Sequence, residues 1–126
     1  MRVVRLGSAR LKGEGLRIGT VRRPPRGVPK SEFATRNFYD VWLPQLSPSA
    51  ALVKVALAAK SEREWSGFVK AYRREMSEHN AARLLELLAA MSQSSAFSVG
   101  CYCEDEARCH RSVLRALLQE RGAKLR

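Results

Sequence analysis

Cys101, Cys103, Cys109 and His110 stand within ten positions of one another near the end of the chain, and between them they hold every thiol and one of the two imidazoles. Three chemistries are open to such a set. Thiolate and imidazole are zinc ligands, and four of them suffice for a tetrahedral site, so Cys101, Cys103, Cys109 and His110 form a candidate metal set. The spacing argues against it. On an extended strand Cys101 and Cys103 share a face but stand more than about 6 Å apart, whereas a zinc knuckle closes its paired cysteines around a turn. Cys103 followed by Arg108 has, second, the Cys-x4-Arg spacing of a rhodanese-like anion loop, in which amides and a cation depress a thiol pKa. Glu104, Asp105 and Glu106 oppose this, because three carboxylates raise a thiol pKa and repel an oxyanion. The third chemistry is anion recognition. His110 and Arg111 open a predicted helix, where unpaired N–H groups carry partial positive charge, and His110 is the candidate general acid or base.

A second group of chemical residues lies far upstream. Residues 22–30 read RRPPRGVPK, and three prolines in that stretch remove backbone donors and confine their neighbours to extended conformations. The result is a stiff loop that presents Arg22, Arg23, Arg26 and Lys30 with much of its entropy already lost, which favours binding of an anion. Charge is uneven along the chain. The net charge is +11, and residues 1–36 hold ten Lys or Arg against only Glu14 and Glu32. Such an excess attracts either a phosphate-bearing small molecule or nucleic acid.

Elements must carry these groups. Phe97, Val99, Cys101 and Cys103 alternate with Ala96, Ser98, Gly100 and Tyr102, the period of a strand over 96–103. His110, Leu114, Leu117 and Leu118 recur at helical spacing, so the next element is a helix with His110 in its first turn. Earlier strands are predicted over 2–6 and 16–21, with Gly19 marking a bulge or close backbone contact. The aromatic segment 37–46 reads as extended, interrupted by Pro44. Three helices follow. Ser47-Pro48-Ser49 supplies caps and an N1 proline for the first; Ser61 and Glu64 form a capping box for the second, whose inward stripe is Trp65, Phe68, Val69, Tyr72 and Met76. Asn80 caps the third, with Leu84, Leu87, Leu88 and Met91 facing the core. His79 falls in the break between the last two and has no role assigned.

Length and composition set the frame. At 126 residues, the chain has the size of one domain that can bury a core without disulfides. No apolar run approaches the roughly 20 residues of a membrane helix, and no secretory signal opens the chain. Three clustered cysteines suit a reducing compartment, so a cytoplasmic location is expected. The expected fold is one α/β domain, a small mixed, partly parallel sheet flanked by about four helices.

The order of certain residues also resembles a known family. Leu16 to Lys30, then Trp42, Leu46-Ser47-Pro48-Ser49, Leu52, Lys54 and Tyr72, together with the strand-to-helix ending, are similar to the YeaO-like family of small bacterial proteins (domain of unknown function 488). The best marks are Arg22, Pro25-Arg26-Gly27 and Pro48-Ser49, and Cys109-His110-Arg111 resembles the ending found in many wider relatives. The chain reads Val21-Arg22-Arg23-Pro24-Pro25-Arg26-Gly27 where the family often shows Asp-Arg-Leu-Trp-Pro-Arg-Gly. The resemblance implies a compact α/β fold and brings no established reaction.

A geometric expectation follows from the predicted strands. If 16–21 and 96–103 run parallel, the loops after them gather at one sheet edge, and Arg22 and Arg26 lie near His110. The site so built takes Arg22, Arg23, Arg26 and Arg111 as anion ligands with His110 as the catalytic group. Its ligand is a phosphate-bearing small molecule; the alternatives are nucleic-acid binding by the basic N-terminal third and zinc binding by the Cys/His set.

Overall fold

The computed structural model describes residues 1–126. Four strands, β1 (Arg2–Arg5), β2 (Leu16–Gly19), β3 (Val41–Trp42) and β4 (Phe97–Cys101), form one sheet in the order β1-β4-β2-β3. Four helices, α1 (Ala50–Ala58), α2 (Glu62–Met76), α3 (His79–Met91) and α4 (His110–Glu120), complete the α/β fold that the sequence predicts. Parallel pairing, expected for part of the sheet, extends to every strand pair. β4 lies between β1 and β2, with Val99 opposite Val3 on one side and Ile18 on the other, so all five of its residues are buried. Close neighbours leave no room for side chains at the two glycines within the strands. A Cβ on Gly100 would come within 2.6 Å of the Val4 carbonyl, and one on Gly19 within 2.4 Å of the Tyr39 ring, the close contact expected at that position.

The two faces of the sheet are covered differently. Ile18, Phe97 and Val99 join the main core, which is built with Phe68, Tyr72 and Met76 of α2, Leu85 and Leu88 of α3, and Leu114, Leu117 and Leu118 of α4. Leu6, Val21 and Tyr39 form a second, smaller apolar cluster with Cys101 and Cys109. Beside it β2 buries a cation. Arg17, only 1% exposed, donates from Nε to Glu14 Oε2 at 2.6 Å and from Nη1 to the carbonyls of Ser8 and Asn37, both at 2.7 Å. One guanidinium thus pins two loops, and its desolvation is offset by a carboxylate with 2% of its side chain exposed.

Local chemistry sets the helix ends. Ser49 caps α1 by accepting from the Leu52 N–H at 3.3 Å, so Pro48 precedes the cap and does not occupy N1. Ser61 and Glu64 form the expected box at the start of α2: Ser61 Oγ accepts from the Glu64 N–H, and the Glu64 carboxylate reaches back to the Lys60 N–H. Phe68, Tyr72 and Met76 are buried, whereas Trp65 is only partly so; it stacks on Phe68 at 4.8 Å while the Arg108 guanidinium covers it at 5.6 Å. α3 begins at His79 with Glu78 at the cap position, not at Asn80, and its buried stripe is Ala81, Leu85, Leu88 and Ala89. Leu87 and Met91 are 54% and 40% exposed, because leucine-rich residues all round this helix hide which face turns inward. The extended segment predicted over 37–46 contracts to β3, since Pro44 opens a 3-10 turn, Pro44–Leu46, that leaves the sheet.

Candidate functional site

In a parallel sheet the loops after successive strands leave from one edge, and here the loops after β1, β2 and β4 surround a cleft of about 1090 Å³. Arg22, Arg23 and Arg26 line it together with His110, although more than eighty positions separate the loop from the histidine. The parallel pairing of β2 with β4 brings them there, as the sequence reading requires. Arg5, Lys54 and Arg108 join the wall, and no aspartate or glutamate does. Arg5 and Lys54 carry no motif that marks them as ligands in the sequence. Their signal is positional: Arg5 ends a strand at the edge where loops gather, and Lys54 lies on the helix that Arg22 holds in place.

These cations are engaged to different degrees. Arg22 donates from Nε to the Pro48 carbonyl at 3.0 Å and from Nη2 to that of Ser47 at 3.4 Å, which ties the cationic loop to the start of α1. Arg5 pairs with exposed Glu104 at 3.5 Å, and Arg108 with Glu62. Arg23, Arg26 and Lys54 have no hydrogen-bond or ion-pair partner for their charged groups. Arg111 is not on the wall. It is 4% exposed, donates to the Cys103 carbonyl at 2.6 Å and leaves Nε without a partner, so it braces the loop behind the cleft.

His110 is buried at the first position of α4 with its ring edge-on to Tyr72. Its Nε2 lies 2.8 Å from the Thr20 carbonyl and 3.2 Å from Thr20 Oγ1. A carbonyl only accepts, so Nε2 carries a proton, and Nδ1 turns to Cys109 Sγ, 3.9 Å away. The imidazole thus faces a thiol.

The three thiols come together. Cys101 Sγ and Cys103 Sγ are 3.8 Å apart, and the sulfurs of Cys101, Cys103 and Cys109 all lie within 4.8 Å of one another. The strand spacing argued against this, but β4 ends at Cys101, and the chain bends at Tyr102 in place of continuing extended to Cys103. All three are free thiols, and all three line the cleft. Hydrogen bonds from Cys101 and Cys103, with the neighbouring His110, pull the Cys109 thiol well below the ordinary cysteine range despite its burial; Cys101 is pushed up by the same exchange.

The rhodanese-like arrangement does not form around Cys103. Asp105 caps a 3-10 turn over Glu106–Arg108, Glu106 pairs with Arg115 at 2.9 Å, and Arg108 turns to Glu62 and Trp65. No helix is long and apolar enough to cross a membrane.

Comparison with known proteins adds one finding. A family model described as the active DUF488-N3 subclade matches residues 1–122. Neither the curated proteins nor the solved structures compared with the chain give a match. With residues 1–122 of 126 under that model, the chain belongs to the DUF488 family of YeaO-like proteins, a family of uncharacterised function.

Proposed function

We propose that the protein binds a phosphate-bearing small molecule in the cleft at the carboxyl edge of the sheet. The observation that carries this reading is the sign of the wall: six cationic side chains and no carboxylate line it, and Arg23, Arg26 and Lys54 have charged groups free to meet a ligand. A concave, partly apolar site concentrates such a field, and each charge-assisted hydrogen bond to phosphate contributes about 1.5–3 kcal/mol. Arg22 gives the loop its position as well as a charge. His110, with Nε2 committed to Thr20, turns Nδ1 toward the Cys109 sulfur, and both residues line the cleft. The description of the matching subclade as active fits a site with chemistry at its floor.

Nucleic-acid binding by the basic N-terminal third is less well supported. Arg17 is buried against Glu14 and Arg10 is paired with Asp40 at 2.8 Å, which removes two of the ten cations from any surface patch. Calorimetric titration with inorganic phosphate and pyrophosphate, and with a single-stranded oligonucleotide, separates the readings. Arg26→Ala and Lys54→Ala should each weaken phosphate binding about tenfold or more and leave the thermal midpoint unchanged, because neither charged group has a partner in the fold. Affinity confined to the oligonucleotide, falling with salt along a slope of about −0.7 per phosphate contact, would replace this reading with the nucleic-acid one.

A second reading, that the protein binds zinc, is favoured by one specific observation. Three sulfurs mutually within 4.8 Å, with no disulfide between them, are close enough for side-chain rotation to bring them onto one thiophilic cation. Metal analysis of the chain purified without added zinc tests it, and a metal content near zero that zinc addition does not raise would reject it.

A further inference from the structure

We infer that the three thiols form a three-ligand site for one zinc-like divalent cation whose fourth position opens into the cationic cleft, so that a bound anion reaches the metal. The inference rests on the zinc reading and specifies it: which side chains coordinate, and what completes the shell. At a zinc–sulfur length of about 2.3 Å a tetrahedral site separates its sulfurs by about 3.8 Å. The Cys101–Cys103 distance is 3.8 Å, and the 4.8 Å limit on the others is within reach of side-chain rotation.

His110, the fourth member of the set expected from sequence, stands outside it. Its Nδ1 is near Cys109 alone, its ring is fixed by the Thr20 carbonyl, and no histidine, aspartate or glutamate belongs to the group of mutually close ligand atoms. The protein therefore offers three ligands. A closed structural zinc site takes four, and a site with three protein ligands keeps a position for water or substrate. Cys101, Cys103 and Cys109 all line the cleft, so that position faces the space bounded by Arg22, Arg23 and Arg26.

Charge is consistent with the same stoichiometry. Three thiolates and a divalent cation sum to one negative charge in a buried setting, and the buried Arg111 guanidinium, bonded to the Cys103 carbonyl and otherwise short of a partner, supplies one positive charge. Thiolate ligands select zinc over magnesium and calcium, which take oxygen.

Cobalt(II) titration of the full-length chain under reducing conditions tests the inference. One cobalt should bind per chain, with thiolate-to-cobalt absorption in the near ultraviolet and visible bands of tetrahedral intensity. His110→Ala should leave that spectrum in place, and azide or inorganic phosphate should shift the visible bands of the wild-type complex. Cys103→Ser and Cys109→Ser should each lose stoichiometric binding. Because either variant can fail to fold, alkylation of the native wild-type chain provides an independent check: zinc should protect all three thiols. Tetrahedral bands that ignore both anions and collapse in His110→Ala would show a closed four-ligand site, which overturns the open position while the zinc reading survives. No cobalt absorption from folded chain, with thiols equally reactive with and without zinc, would overturn both. Phosphate binding to metal-free chain, measured separately, reports on the cationic cleft alone.

Discussion

Glu14 and Arg17 show how one residue pair can hold a surface of the sheet without a helix. Their ion pair at 2.6 Å is almost fully buried, and Arg17 also satisfies carbonyls at Ser8, Ala9 and Asn37. Glu14→Ala leaves that cation buried without its carboxylate and is expected to cost about 3–5 kcal/mol, read as a lower denaturant midpoint. The pair also gives stability a pH dependence. Burial raises the Glu14 pKa, but the Arg17 guanidinium and the Leu11 N–H outweigh it, and Glu14 titrates below the ordinary carboxylate range. Asp40, desolvated yet held by Arg10 and the Arg17 N–H, is lowered in the same way. A depressed folded-state pKa gives stability that is complete above the unfolded value, about 4, and lost as pH falls through the lower folded values. Thermal midpoints should thus be flat from neutrality to about pH 5 and fall below about pH 4, with a shallower acid limb in Glu14→Gln. A wild-type acid limb no steeper than that variant's would remove Glu14 from the account.

At the scale of elements, α2 carries the core and is the helix that the sequence shows best. Phe68 is 1% exposed between Trp65 and Tyr72, so Phe68→Ala should cost about 3–5 kcal/mol in chemical unfolding, and Trp65→Ala should cost less because one of its faces meets only Arg108 and solvent. Equal losses for both would mean that the two rings are buried alike. The α2 stripe is legible because polar residues surround it. α3 is not, because Leu84, Leu85, Leu87 and Leu88 offer two competing stripes, and only packing against α4 and the sheet selects Leu85 and Leu88. The placing of Arg22, Arg26 and His110 on the wall of one cleft was legible through a general property of parallel sheets. The closure of Cys101 on Cys103 was not: it depends on where β4 stops, and alternation alone carries the strand two residues further. Nor did Arg17 announce its burial, since a charged residue in a short strand reads as solvent-facing until its partner, three positions earlier across Gly15, is seen beneath it.

The whole molecule carries a net charge of +11, and the cleft gathers six cations where the sheet ends. Self-repulsion of that size is screened by salt, so the thermal midpoint should rise with sodium chloride and rise further with phosphate at matched ionic strength. The extra rise should shrink in Arg26→Ala; an equal effect of both salts would indicate screening without a site. Strand order has a different consequence, one that concerns time. β1 and β2 do not touch, and each finds its hydrogen-bonding neighbour in β4, the last strand to be synthesised. A nascent chain synthesised through α3 has its helices and only the short β2–β3 pairing of the sheet, and β1 waits with both edges bare until residues 97–101 arrive. Pairing across that separation makes folding slow for a chain of this size and leaves the early strands open to wrong partners in the interval. The strand that closes the fold thus also carries the first of the three thiols, and the other two follow within eight residues, so the cysteine cluster and the completed sheet form together.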